Sequence, residues 1–455
     1  MQENVRENKM GVMKIPALLY SISVPIIISM LVQALYNIVD SIFVAKFDNV
    51  AGTGALTAAF PVQNLMIALA VGLAVGTSAL LSRSLGQKDK KKVDLVAGQG
   101  FLLTACGYLV FLLFGLFFLK PYVVSQVGAD SLLYTYSMDY LSVICVCSVG
   151  VFVQVVCERL LQATGKSVLS MVVQLSGAIV NLILDPILIF GLGSIPAMGV
   201  KGAAIATVVG QCVAGAVGIV LNLTCNREIT LRVRSFIPNF RLLREMLVIG
   251  IPSVCMQAIG SVMTFSMNKI LISFSVEAMN VFGIYFKLQS FVFMPIFGLT
   301  NGMIPIVAYN YGADRRDRVM ATVKLSAATA IGYMLLGCLA FQLLPETLLG
   351  FFNASEEMLA VGVPALRTIS LSFVLAGLSI ICSASCQAFG KSVYSLFVSI
   401  GRQLVVLIPA AYLLSLSGEV NAIWFAFPIS ELMSVALSVI FFIITIRSAM
   451  GKKNS

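Results

Sequence analysis

Asp40 stands in the stretch QALYNIVDSIFVA (residues 33–45) and Asp185 in NLILDPILIF (residues 181–190), and both stretches are otherwise apolar enough to lie in a membrane. A carboxylate at the centre of a spanning helix costs roughly 2.5–3.5 kcal/mol, so both acids call for something that offsets this. Their neighbours suggest what. Gln33, Tyr36, Asn37 and Asp40 follow the i, i+3, i+4, i+7 spacing that puts side chains on one helical face. Asn181 and Asp185, four apart, also share a face, and Pro186 removes a backbone donor and disfavours α geometry at Asp185. A kink there would aim a free carbonyl inward, as broken helices do around ions. Two carboxylates with amide, hydroxyl and carbonyl oxygens form the ligand set of a hard cation such as Na⁺. The same two acids, repelling each other in a low-dielectric pocket, could instead take up a proton. Both chemistries use the same residues.

The elements that hold these residues must cross a membrane. The chain has 455 residues, 59% of them hydrophobic and only 11% charged, with a mean hydropathy of +0.98; a soluble chain carries about 25% charged residues. The apolar runs predict an all-α membrane protein with twelve transmembrane helices, at about 15–45, 53–81, 94–119, 131–157, 167–191, 202–224, 246–273, 279–308, 322–344, 357–382, 392–415 and 420–446. No cleavable signal peptide is expected at the N-terminus. Of the 30 Lys and Arg residues, 23 fall on the termini and every second loop, against three (Lys46, Lys120, Lys201) on the opposite loops. That asymmetry predicts both termini in the cytoplasm. The net charge of +10 therefore reports topology and not a nucleic-acid partner. With no histidine in the chain, an imidazole base or imidazole metal site is excluded, and the ten cysteines read as small buried residues.

The halves repeat. Gln63, Gly72, Gly76 and Gly86 recur 226 residues on as Gln289, Gly298, Gly302 and Gly312, and QATGKSV from Gln162 returns as QAFGKSV from Gln387. Six spans separate the copies, so the repeat is parallel and predicts two pseudo-symmetric six-helix bundles: residues 1–225, a basic cytoplasmic linker at 226–245, and 246–455. The GxxxG patterns at Gly72–Gly76 and Gly298–Gly302 suit tight packing inside each half. At 1.5 Å per residue, Asp40 lies roughly 39 Å beyond Lys14, Asp185 about 28 Å beyond Lys166, and Thr207 about 9 Å from the opposite-side Lys201. Three helices of one half thus bring polar groups to similar depth.

Both GKS tripeptides lack the first glycine of a phosphate-binding loop, with Leu160 and Ser385 in its place. No nucleotide-driven pump is indicated, and a two-lobed repeat without an energy-coupling domain reads as a secondary transporter. In the second half, Arg367, Arg402 and Glu431 fall near mid-depth and are expected to form a buried Arg–Glu–Arg cluster. Met256, Met263 and Met267 approximate one face of span 7 and could line a substrate cavity. Asp139, at the outer start of span 4, is either a solvated end charge or a neighbour of Asp40. Glu158 and Arg159 close that span and would lock the loop before QATGKS.

The duplicated halves, the Tyr36–Asp40 stripe, the Asn181–Asp185–Pro186 segment and QATGKS resemble the MATE (multidrug and toxic compound extrusion) transporters, in particular their MepA-like bacterial branch, over nearly the whole chain. The resemblance implies a V-shaped pair of six-helix bundles that exports lipophilic or cationic drug-like compounds in antiport with Na⁺ or H⁺ by alternating access. It implies a cation site at Asp40, Asn181, Asp185 and Thr207, with Gln33, Tyr36 and Tyr140 close by. The expected setting is a bacterial cytoplasmic membrane, with a monomer in the lipid bilayer, no nucleic-acid partner, no enzymatic activity, no cofactor, and no metal beyond possible Na⁺. One departure stands out. The NorM-like branch binds its cation on acids of the C-terminal lobe, whereas here the repeat partners of Asp40 are Ser266 or Met267 and that of Asp185 is Ala410. Coupling would then belong to the N-terminal half. The alternative function is a lipid or oligosaccharide flippase, which would favour a strongly cationic cavity.

Overall fold

The computed structural model describes residues 8–48, 51–128, 132–193, 195–352 and 355–450, apart from the side chains of Asn37, Ser41, Ala45, Thr53, Val233 and Met450. Ten helices are long and apolar enough to cross a membrane, and two further helix pairs, each bent at a short break, bring the number to twelve. The first six are α1 (Ile15–Phe47), α2 (Ala51–Gly86), α3 (Lys90–Val127), α4 (Leu132–Val146 and Val149–Ala163), α5 (Ser167–Phe190) and α6 (Gly199–Thr224). The second six are α7 (Phe240–Ile272), α8 (Val276–Gly312), α9 (Arg316–Leu343), α10 (Glu356–Ser370 and Phe373–Ala388), α11 (Ser392–Ser415) and α12 (Val420–Ala449). Side-chain oxygens of Asp89, Asn239 and Ser275 accept orphan N–H groups at the starts of α3, α7 and α8.

The bends in α4 (47°) and α10 (46°) were not legible as gaps in hydropathy. Just before each bend a serine hydroxyl donates to the carbonyl three residues back: Ser148 to Cys145 (2.9 Å) and Ser372 to Ile369 (2.6 Å). Such bonds compete with the helical ladder and bend it. The GKS tripeptides find their explanation here too. Gly165 and Gly390 take positive φ (82° and 78°), and Lys166 N and Lys391 N donate back to Leu161 O and Cys386 O. This is a Schellman stop closing α4 and α10, with α5 and α11 beginning one residue later.

The GxxxG glycines correct an expectation. They pack between the halves, not within them. A Cβ on Gly72 or Gly76 would strike Val254 or Met246 of α7, and one on Gly298 or Gly302 would strike Ile27 or Ser23 of α1. The contacts that join the lobes gather at the end carrying the termini and the basic linker, called the inner end below. Arg83 lies over the Tyr311 ring at 4.9 Å, and Ser23 donates to Leu299 O at 3.5 Å. The N-terminal segment straps the same end: Asn8 Nδ2 donates to Thr164 O and Glu228 Oε1 (both 3.1 Å), while Met10 O and Met13 O accept from Arg318 at 3.0 and 2.7 Å. Farther out, Asn64 still reaches Ser261 at 2.8 Å, but Phe60 and Phe265, nearer the outer ends of α2 and α7, are 64% and 70% exposed. The lobes are closed at the inner end and part towards the other.

The C-terminal lobe holds a large apolar core around Tyr285, Phe282 and Trp424, and Met263 and Met267 belong to it. These two methionines are buried (Met267 fully) and cannot line an open cavity, which corrects that expectation; Met256 is half-buried. The expected ionic cluster is a pair. Arg402 Nη1 meets Glu431 Oε1 at 2.7 Å, whereas the Arg367 residue is exposed and its carbonyl accepts from Gln342. A long cationic side chain near a helix surface gains more by keeping its head solvated than by burial.

Candidate cation site in the N-terminal lobe

α5 and α6 come unusually close where the site is built. A Cβ on Gly177 would sit 2.9 Å from Gly210 O, and one on Gly210 2.7 Å from Gly177 O; only bare backbone permits that approach. One turn outward along α5, Asn181 Nδ2 reaches across to Thr207 Oγ1 of α6 at 3.4 Å and along its own helix to Asp185 Oδ1 at 3.2 Å. Helix α5 runs unbroken through Pro186, and the missing N–H frees the Leu182 carbonyl of its helical partner.

Asp40 comes from α1, which packs on α5, and lies within electrostatic reach of Asp185. The four residues are buried: Asp40 is 9% exposed, Asp185 1%, Asn181 3% and Thr207 8%. The hydroxyls of Tyr36 and Tyr140 lie within electrostatic reach of both carboxylates. Gln33 hydrogen-bonds Tyr36, and Tyr140 is held by Gln63 Nε2 at 3.0 Å. Gln63 escaped the sequence reading as a site residue, although a repeated glutamine within an apolar span was the available signal. Asn37 is on the same helix, but its side chain lies outside the described residues. Asp139 is corrected to a solvated end charge: it is 42% exposed and faces Lys201 Nζ at 4.0 Å.

Three acceptor oxygens in this pocket, Asp40 Oδ1, Asp185 Oδ2 and Asn181 Oδ1, are buried with no hydrogen-bond donor. Among the described residues no lysine or arginine pairs with either acid, in contrast to Glu431 and its arginine. Buried acceptors of this kind are costly unless something positive meets them. The two-carboxylate set with amide and hydroxyl oxygens fits a monovalent cation or a proton; no cluster of three or more His, Cys, Asp or Glu residues suited to a multivalent metal occurs among the described residues. The equivalent place in the other lobe has no acid: Met267 and Ala410 lie in or against the apolar core, and Ser266 Oγ donates to Val262 O of its own helix.

The MatE family model matches residues 25–187 and 252–413, one copy in each lobe. The chain is 27% identical over 404 residues to the multidrug export protein MepA of Staphylococcus haemolyticus, covering 88% of both chains. It is 25% identical over 424 residues to the protein of that name from Staphylococcus aureus strain MSSA476, covering 93% of this chain and 92% of the other. Its fold matches an outward-facing structure of a multidrug resistance MATE family transporter, with a TM-score of 0.90 at 24% identity over 99% of this chain and 100% of that one. The chain is therefore a multi-pass membrane protein and a member of the MatE family.

Proposed function

We propose that the protein is a secondary multidrug exporter of a bacterial cytoplasmic membrane, moving lipophilic or cationic compounds out against inward flow of Na⁺ or H⁺. The observation that carries the cation-coupled reading is the set of three unpartnered acceptor oxygens around Asp40 and Asp185. The multidrug export named for the Staphylococcus relatives supports the substrate class. A cation entering the pocket offsets the repulsion between the two carboxylates and ties α1 to α5. Its effect on the lobes depends on binding more tightly in one state than in the other. The inner-end closure supplies one such state, with the pocket nearer the open end. The basic residues at the inner end support placing that end in the cytoplasm.

The test is efflux of ethidium, a fluorescent organic cation, from proteoliposomes under an imposed Na⁺ or pH gradient. Efflux against the ethidium gradient, driven by one of the two, is the expected result and identifies the ion. Ethidium that only equilibrates, whichever gradient is imposed, would remove the antiport reading.

A further inference from the structure

Inward of the Asp40–Asp185 pocket, the N-terminal lobe holds a polar feature that the coupling pair does not use. Beyond its bend, α4 carries Gln154 and Glu158. Gln154 Nε2 donates to Glu158 Oε1 at 2.9 Å and to Gln174 Oε1 of α5 at 3.1 Å. Gln154 and Gln174 line a narrow cleft together with Tyr36, Asn181 and Thr207, and about 10 Å³ of it is open to the centre of a water molecule, about what one water needs. One wall of the cleft thus carries Asn181 and Thr207, the neutral ligands beside the two acids, and the other carries Gln154, which bonds Glu158, and its partner Gln174. Gln174 lies seven residues inward of Asn181, roughly 10 Å along the helix.

Glu158 has an arginine beside it and yet makes no ion pair among the described residues. Arg159 turns away, donating to Gln162 Oε1 at 3.2 Å and, across the lobe interface, to Asn301 Oδ1 of α8 at 2.9 Å. A carboxylate placed for stability alone is expected to take its neighbouring cation, as Glu431 takes Arg402. The sequence led us to expect only a lock on the QATGKS loop; Arg159 reaches that loop through Gln162, while Glu158 is bonded into the bundle.

We propose that Glu158, held by Gln154, which Gln174 braces in turn, is an inner station for the coupling cation, reached from the Asp40–Asp185 pocket through the cleft beside Tyr36 and Asn181. This rests on the cation-coupled reading above. A Na⁺ there takes the carboxylate once the Gln154 amide turns its oxygen in place of the Nε2 that donates to Glu158, and a proton takes the carboxylate alone. The station adjoins Arg159, whose bond to Asn301 exists only while the inner ends are together, so a charge arriving at Glu158 is felt one residue from the closure it must release.

The test is Glu158→Gln in the full-length protein, reconstituted with ethidium as probe. Two fluxes are read: efflux driven by the Na⁺ or pH gradient, and downhill ethidium movement without a gradient. The inference expects the driven flux to fall at least tenfold, the downhill flux to stay within twofold, and Glu158→Asp to recover most of the loss. If Glu158→Gln is not recovered as monodisperse protein, Gln174→Leu, which keeps the carboxylate and interrupts the cleft, must lower the driven flux in the same selective way. Driven efflux equal to wild type, or equal loss of both fluxes without rescue by aspartate, overturns the inference while leaving the cation-coupled reading intact. A wild type without gradient-driven efflux overturns both.

Discussion

Asp40→Asn and Asp185→Asn are each expected to abolish gradient-driven efflux, by tenfold or more, while downhill movement of ethidium persists. Asparagine keeps the size of aspartate and one acceptor oxygen but can neither neutralise Na⁺ nor accept a proton. Asn181 already donates to Asp185 Oδ1, and an amide oxygen at that position can still accept this bond, so the pocket keeps its shape and loses one of its two charges. A cation with equal affinity for both lobe arrangements shifts neither, which is why coupling is lost before transport itself. Asp139→Asn is the matched control: Asp139 is half exposed and faces Lys201 at 4.0 Å, a surface pair contributing at most about 1 kcal/mol, and its driven efflux should stay within twofold of wild type. Equal loss in all three variants would contradict a special role for the buried pair.

The second large effect concerns the inner closure. Gly86 of α2 packs on the backbone of Tyr309, and its repeat partner Gly312 of α8 packs on the backbone of Arg83; a Cβ at either position would overlap the opposing carbonyl oxygen. Neither neighbour is a flexible side-chain end that could move aside. Overpacking of this kind costs typically 1–3 kcal/mol, and 1.4 kcal/mol is tenfold in an equilibrium. Gly86→Val and Gly312→Val should therefore shift the lobes away from the inner-closed state by about 5- to 150-fold. Hydrogen–deuterium exchange of residues 8–14 and 309–318 should rise in both variants, because Met10 O and Met13 O lose the Arg318 and Asn310 donors that now hold them. Unchanged exchange in both would mean that the glycines do not set the closure.

Much of the site was legible because membrane burial makes polar residues conspicuous. Asp40, Asn181, Asp185 and Thr207 stood out from apolar runs, and helical rise alone put them at one depth. The residues that were missed, Gln63, Gln154 and Gln174, are neutral, and their roles depend on cross-helix partners 77 and 20 positions away in the chain. The bends at Ser148 and Ser372 were hidden because a serine hardly changes hydropathy, yet its hydroxyl diverts a carbonyl. The GxxxG glycines announced close packing but not with which helix. The methionines of α7 share a helical face, and that face turns out to be the core side of the bundle for Met263 and Met267. Spacing could not distinguish core from cavity. It likewise put Arg367 at the depth of Glu431 but could not say that this residue is exposed and outside the ion pair.

The central claim is that a cation in the Asp40–Asp185 pocket changes the balance between lobe arrangements, and inter-lobe distances read that balance directly. Spin labels at the exposed positions Phe60 and Phe265, in a chain with its ten cysteines replaced, report the separation of α2 and α7 near the open end. The account predicts that adding Na⁺ or lowering the pH redistributes this distance, and that the redistribution disappears in Asp40→Asn. A distance distribution indifferent to both cations, or one that responds identically when Asp40 is asparagine, would contradict it.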